Sequence, residues 1–378
     1  MKNLRRILCV LVVATLWSLR AQDEESSADD YSPIPDFSDE ILYTPKFEVT
    51  IGFRGVSGAK SSFGGRAIIG RGVDTGPATG ANLNRRYQDG HVQADTRTIV
   101  DANGNTVLLQ SVSPDGLTNN WDYDDESQIT SDGYVAMHTY EASINPATVQ
   151  KDQPSSLGVE LLVTRDMGKL FGTRARWSVI GGFSVNDISG KMDTEETASV
   201  VTNTDYFSLN GQSAPAAGTA STGALLDSNP FRADPTTGTG LVNNHWKLKG
   251  AYMAFRVGPS LTIPITERLS ASFSVGGVLT YAGSNYTVVQ TFLPQTGDAI
   301  VDAVSDGASN IMPGFYADAN INFNINERSG LYMGALYQNS GSYRQTISHG
   351  GDNPDTEYTT KVDLGSLQGV RAGMSFKF

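Results

Sequence analysis

The sequence predicts an all-β chain that closes into a transmembrane, antiparallel, up-and-down β-barrel, and three observations predict it. Apolar and polar residues alternate with a period of two along many segments, as they do in strands with one apolar face. Several segments keep this alternation over 11 or more residues, which is enough to cross a bilayer at a tilt. Short connections alternate with long polar ones, as expected when turns and loops face opposite sides of a membrane.

The composition is compatible with such a barrel. The chain has 378 residues, with 28 Lys+Arg against 40 Asp+Glu, so there is no basic excess to neutralise nucleic-acid phosphates. We therefore expect no nucleic-acid partner. The mean hydropathy of -0.25 is low, but a barrel averages an apolar lipid face with a polar lumen face. Forty glycines suit the bends and turns of a strand protein.

The N-terminus predicts export. Residues 1–21 have the pattern of a signal peptide, in which positive residues precede the apolar core Ile7–Leu19 and a small residue, Ala21, offers a cleavage site. This core is too short to span a bilayer as a helix. Residues 22–45 form an acidic leader with three prolines, and we expect residues 46–378 to form the barrel.

Eight segments carry the alternation expected of barrel strands. They are 46–57, 156–166, 173–187, 245–265, 268–284, 312–326, 330–345 and 360–378. The short connections between them are 167–172, 266–268 and 326–330, and the long polar ones are 188–244, 284–310 and 346–358.

The segment 58–155 leaves the strand number open. It contains a local hairpin, Thr96–Val100 with Thr106–Gln110, and a plausible full strand over Gly133–Ile144. The barrel has ten strands if this segment supplies two of them, and eight if it is one external excursion. We favour ten, because so long a loop without spanning structure is unusual.

The last strand carries a family resemblance. Its alternate positions are apolar back from the terminal phenylalanine: Val370, Ala372, Met374, Phe376 and Phe378. This pattern resembles the terminal strand of bacterial outer-membrane β-barrel proteins, a superfamily that includes small porin-like barrels, and the resemblance covers residues 46–378 as an architecture. It implies a place in the outer membrane of a Gram-negative cell, short periplasmic turns and long extracellular loops. It also implies contact with outer-membrane lipids and lipopolysaccharide, and recognition of the last strand by the barrel-assembly machinery.

Charged residues alternate with the apolar face and should point into the lumen. They are Glu48, Arg54, Glu160, Arg174, Arg176, Arg256, Asp318 and Arg371. In a barrel of about 8–10 strands, side chains fill the interior, so these residues could form an internal network of ion pairs and hydrogen bonds. Alternatively, they could line a cationic constriction that passes small anionic solutes.

Aromatic residues near the strand ends predict two interfacial girdles, to which we assign Phe47, Trp246, Tyr281 and Tyr337. The alternative is ordinary strand propensity, since aromatic residues are favoured in any strand.

No motif predicts a metal, a cofactor or a catalytic centre. The acidic runs 101–105 and 122–126 lack the glutamate that ends a calcium-binding loop. The only cysteine, Cys9, lies in the predicted signal. A protease resembling the omptins would need paired acids, which Asp124 and Asp125 could supply, and an Asp-His pair, but no Asp-His dipeptide occurs.

The sequence therefore predicts a non-enzymatic outer-membrane barrel that is either a structural surface protein or a narrow passive pore for small solutes. The alternative is a barrel for adhesion or ligand binding that acts through loops 58–132 and 188–244. An outer-membrane enzyme ranks third.

Overall fold

The computed structural model describes residues 46–108, 115–170, 172–219, 223–348 and 355–378. The predicted signal and leader lie outside these residues. The described chain is built from β-strands and one short 3₁₀ turn, Glu126–Gln128. None of its helices is long and apolar enough to cross a membrane. The strands are β1 (Phe47–Ser57), β2 (Lys60–Ile69), β3 (Arg85–Tyr87), β4 (Gly90–Val92), β5 (Thr98–Val100), β6 (Thr106–Leu108), β7 (Leu117–Thr118), β8 (Trp121–Tyr123), β9 (Tyr134–Ile144), β10 (Val149–Asp152), β11 (Ser156–Lys169), β12 (Arg176–Ser208), β13 (Leu226–Asp227), β14 (Phe231–Arg232), β15 (Thr236–Pro264), β16 (Leu269–Phe292), β17 (Ile300–Asn324), β18 (Ser329–Asn339), β19 (Ser342–Ser348), β20 (Glu357–Asp363) and β21 (Leu367–Lys377).

Eight strands form a closed antiparallel ring in the order β1, β11, β12, β15, β16, β17, β18 and β21. The ring closes where β21 pairs with β1. Next to this ladder, the Phe47 and Phe378 backbones exchange hydrogen bonds of 3.1 and 2.8 Å. Because the ring is closed, the backbone of each of its strands is hydrogen-bonded along both edges, as strands in lipid require.

The ring has eight members, so our preference for ten strands is wrong and the alternative of eight matches the structure. The described parts of segment 58–155, 58–108 and 115–155, supply no ring strand. Its predicted full strand appears as β9, which pairs with the far end of β12 at positions 199–208. The predicted local hairpin is present as the β5–β6 pair.

Four ring strands are longer than predicted. β12, β15, β16 and β17 contain 33, 29, 24 and 25 residues. Most of 188–244 and 284–310, which we expected to be long polar loops, therefore continues these strands. The sequence hides this because the apolar residues change to the other face partway along each strand.

Strand β15 shows the change of face. Near the short turns, Val257 points outward and is 60% exposed, whereas its neighbour Arg256 is buried. Ten positions earlier the pattern is reversed: Lys247 is exposed, and Trp246 and Leu248 are buried. A strand whose outer face turns polar and whose inner face turns apolar has passed from lipid into water. The outward apolar residues thus mark the membrane-spanning part of the ring.

We call the part beyond this change the distal tier. It consists of the far portions of β12, β15, β16 and β17 together with the strands outside the ring and the segments that connect them. Of these strands, β2, β9, β10, β19 and β20 pair among themselves, and β9 and β14 pair with β12. Its core includes Phe63, Trp246, Tyr286 and Tyr358. Phe63 meets the Trp246 ring edge-on at 5.7 Å and stacks on Tyr286 at 6.0 Å. The distal tier is therefore packed like the interior of a water-soluble β protein.

The change of face predicts a labelling pattern on one strand. We expect a water-soluble maleimide to label Lys247→Cys rapidly in lipid vesicles, in a Cys9→Ser background. Leu248→Cys and Val257→Cys should stay unlabelled, because protein covers the first and lipid covers the second. Mass spectrometry of the labelled chain measures the result. Equal labelling of positions 247 and 257 would contradict the assignment of the membrane belt.

Candidate functional site

Two acids and two arginines form a closed ring of ion pairs inside the barrel. Arg256 lies 3.3 Å from Glu160 and 3.2 Å from Asp318. Arg371 contacts the same two acids, at 2.7 and 3.0 Å. The four side chains are at most 3% exposed. We call them the charge quartet. Their formal charges cancel, and the Tyr332 hydroxyl donates a further hydrogen bond to Glu160 at 2.7 Å.

The quartet takes one side chain from every second strand of the ring: β11, β15, β17 and β21. The remaining strands supply a second polar group. Arg54 on β1 donates to Ser184 on β12 at 2.7 Å and to Gln338 on β18 at 3.0 Å. Gln338 continues to Ser340 at 2.7 Å, and Thr280 on β16 donates to Ser340 at 2.8 Å. Inward side chains from alternate strands thus fill the narrow lumen in layers.

Five of the eight charged residues predicted for the lumen belong to these two groups, and three do not. Glu48 is half-buried at the start of β1. Arg174 is exposed in the turn before β12, and Arg176 at the start of β12 pairs with Asp166. The alternation gave the correct face for Arg176, but it could not show that this position lies at the rim.

Of the four aromatic residues predicted for the girdles, three lie on the outward face of the ring and one does not. Phe47, Tyr281 and Tyr337 lie on the outward face of the ring. The assignment of Trp246 is wrong, because its side chain is only 2% exposed and lies in the core of the distal tier. The physical reason is that position 246 lies on the inward face of β15, like Arg256, and beyond the lipid this face carries apolar residues.

The terminal strand points its apolar row toward lipid. All five residues of the predicted assembly signal are exposed on the outer face of β21 or just after it: Val370, Ala372, Met374, Phe376 and Phe378. The intervening residues, Arg371 and Ser375, are buried in the lumen.

Sequence reasoning missed the aromatic side chains that fill the interior above the polar layers. Tyr252 and Tyr286 are at most 1% exposed, and Tyr358 is 2% exposed. The Tyr358 hydroxyl donates to Gln290 at 2.5 Å. Burial raises the pKa of Tyr286 and of Tyr358, so both hydroxyls stay neutral. With these residues, side chains fill the interior without a break from the polar layers up into the distal tier.

A buried carboxylate joins three segments of the distal tier. Asp89, between β3 and β4, accepts hydrogen bonds from the backbone N–H of His138 on β9 at 2.7 Å and from the Thr296 hydroxyl at 2.7 Å. The His138 Nδ1 lies 2.5 Å from the same carboxylate, and the Tyr140 hydroxyl lies 2.5 Å from Thr296. His91 and Asp122 form a second pair at 2.6 Å. Sequence spacing gave no signal for either pair, since the partners are far apart in the chain.

The acids considered for an omptin-like pair have separate surroundings. Partial burial, followed by the charge of Asp122, raises the pKa of the Asp124 carboxyl. Asp125 instead caps the 3₁₀ turn, and the hydrogen bond from the Ser127 backbone lowers its pKa. Among the described residues, no group of three or more His, Cys, Asp or Glu side chains is arranged to hold a metal ion. His349 lies outside the described residues.

A closed strand ring with an apolar outer belt and a charge-paired interior decides the fold. It is a closed, eight-stranded antiparallel β-barrel of the transmembrane type. No family model matches the sequence of this barrel, and no curated protein matches it.

Several solved structures are similar to the barrel at low identity. The outer membrane protein OprG from Pseudomonas aeruginosa is 10% identical, with 88% of this chain and 96% of OprG covered and a TM-score of 0.27. Ail, the attachment invasion locus protein of Yersinia pestis, is 10% identical over 88% and 99% of the two chains, with a TM-score of 0.21. The outer membrane protease OmpT from Escherichia coli is 9% identical over 90% and 100%, with a TM-score of 0.22. These scores are too low to carry an argument about any site.

The charge quartet predicts a large loss of stability when one member is neutralised. We expect Asp318→Asn to lower the free energy of unfolding by about 3–5 kcal/mol, because two buried arginines lose a shared carboxylate. Urea unfolding in lipid vesicles measures the change. The control is Lys361→Ala, which removes an exposed ion pair with Asp363 and should cost about 0–1 kcal/mol. Equal effects of the two substitutions would contradict a structural role for the quartet.

Proposed function

We propose that this protein is a non-conducting barrel of the bacterial outer membrane that presents the distal tier on the cell surface as a folded binding module. The observation that carries the proposal is the double closure of the interior. The polar layers fill the lumen within the membrane, and an aromatic core fills the space above them. On this proposal the short turns are periplasmic and the distal tier is extracellular.

The charge quartet argues against a cationic pore. An anion-selective constriction needs arginines whose charge is available to the passing ion. Glu160 and Asp318 instead hold both arginines of the quartet at 2.7–3.3 Å. Arg54 forms no ion pair among the described residues, but it is fully buried and bonded to Ser184 and Gln338. An ion could pass only by displacing this packed polar group and the aromatic residues above it.

The distal tier is well suited to a role at the surface. Both segments to which the sequence assigned adhesion or ligand binding, 58–132 and 188–244, supply strands to it. Four of its strands, β12, β15, β16 and β17, continue directly from the membrane ring, so the tier is held rigidly rather than on linkers. Contact with lipopolysaccharide and recognition of the terminal strand by the assembly machinery belong to this proposal.

We propose that the protein is not an enzyme, although His138 and Asp89 form a pair that hydrolases also use. In such a pair the carboxylate orients the imidazole, and the other ring nitrogen activates a nucleophile. Here the nearby hydroxyl of Thr296 donates to the carboxylate itself. The arrangement therefore joins three segments of the tier, and among the described residues no hydroxyl is hydrogen-bonded to the other ring nitrogen of His138.

Planar-bilayer recording tests the proposal. We expect the purified, membrane-inserted protein to give no discrete openings under an applied voltage, because its interior is filled. A matched sample of intact cells carrying Lys247→Cys should react with a membrane-impermeant maleimide, which checks that the distal tier faces outward. Discrete openings of the inserted barrel would overturn the non-conducting function. Absence of surface labelling would overturn the presentation of the tier.

A further inference from the structure

Three aromatic rings form a row at the surface of the distal tier, two of them exposed and the central one half-buried. Tyr134 lies at the start of β9, Tyr206 near the end of β12, and Phe231 on β14. The Tyr206 ring centroid is 6.5 Å from that of Tyr134 and 6.4 Å from that of Phe231. Phe231 is 66% exposed and Tyr134 is 38% exposed. We call these residues the aromatic row. The angle between the Tyr206 and Phe231 rings is 31°, so the two form a shallow platform.

The backbone beneath the row is fixed by buried contacts on the opposite face. Asp205 and Phe207, the neighbours of Tyr206, are 2% and 0% exposed. The Asp205 carboxylate accepts two hydrogen bonds of 2.7 Å from Arg232, the neighbour of Phe231, and one of 2.6 Å from the Tyr87 hydroxyl. Because side chains alternate along a strand, burying Asp205 and directing Arg232 toward it places Tyr206 and Phe231 on the opposite face. The exposure of the row is thus built into the fold.

The residues that flank Tyr206 on its strand are polar and uncharged. Thr204 and Ser208 flank Tyr206 on the same face of β12. Among the described residues, neither the Tyr134 nor the Tyr206 hydroxyl has a hydrogen-bond partner, so both are available to a ligand. Across the β9–β12 pair, His138 faces Thr204 and is already bound to Asp89. The row thus offers ring faces and hydroxyl groups to a ligand.

The area of the row suits a small ligand. A buried aromatic side chain contributes about 150–250 Å². At the observed exposures, Phe231 and Tyr134 therefore offer about 200 Å² together. A stable protein partner needs about 800 Å² from each side, far more than the row provides. Lipid is also a poor fit, because Tyr206 lies about 60 Å further along β12 than the edge of the membrane belt near Asp187.

We propose that the aromatic row is a binding site for neutral saccharides, an inference that rests on the surface-binding function proposed above. A sugar ring presents an apolar C–H face that stacks on an aromatic ring, and hydroxyl groups at its edge. Tyr206 and Phe231 supply the stacking platform, Tyr134 forms a wall at 87° to it, and the free hydroxyls bind the edge of the sugar.

Titration calorimetry of the full-length protein in detergent tests this site. The probes are maltohexaose, cellohexaose and chitohexaose, with a sulfated hexasaccharide as the charged comparison. We expect at least one neutral probe to bind, and Tyr206→Ala and Phe231→Ala each to raise its Kd about tenfold, because each removes one stacking ring. The matched control is Leu293→Ala, which truncates another exposed apolar side chain of the same tier and should leave Kd unchanged. Unaltered heat-modifiable migration on gels checks folding of each variant.

Three outcomes would overturn the saccharide site: no binding of any neutral probe, tighter binding of the sulfated probe, or an unchanged Kd in both ring variants. These failures are distinguishable from failure of the proposed function. A barrel that is silent in bilayers and labelled at position 247, but that binds no sugar, contradicts the saccharide site alone. A conducting barrel contradicts the non-conducting function whatever the titrations give.

Discussion

The lipid bilayer offers no hydrogen-bond partner to a backbone, and the rest of this structure depends on that constraint. Strands satisfy it only by closing into a ring, which here happens when β21 pairs with β1. Closure with eight strands leaves a lumen too narrow for bulk water, so side chains must fill it. The outer face must then be apolar, and the polar side chains of an alternating strand have only the lumen to occupy.

Charges buried in such a lumen are tolerated because they are paired. A single arginine taken from water would cost several kcal/mol, but the quartet surrounds each arginine with two carboxylates and each acid with two arginines. Cation–π contacts also stabilise the two arginines: Arg256 lies over the Tyr316 ring and Arg371 over the Tyr332 ring, each at 5.1 Å from the ring centroid. The polar network replaces an apolar core while leaving the lipid face free to be apolar.

Sequence alternation could predict the strands of the belt because one physical rule, apolar outside and polar inside, holds over their whole length there. Arg256 and Asp318 were placed in the lumen by this rule alone. The rule reverses where the strands leave the lipid, and a single sequence does not mark that point. Trp246 was therefore assigned to the surface when it lies in a core, and 188–244 was interpreted as a loop. The pairing of Asp89 with His138 depends on tertiary contacts, which no local pattern encodes.

The reversal of the apolar face also explains how the same strands can lie in lipid at one end and in water at the other. β12, β15 and β16 keep a continuous antiparallel register from the short turns into the distal tier, with only a brief interruption near Pro259 between β15 and β16. The same hydrogen-bonded ladder therefore connects a polar-filled ring in lipid to an apolar-filled tier in water. A surface feature such as the Tyr206 ring is then positioned by strand pairing that begins in the membrane. Rigid positioning of this kind reduces the entropy lost when a ligand is bound, which is the advantage of building a recognition surface on extended barrel strands instead of flexible loops.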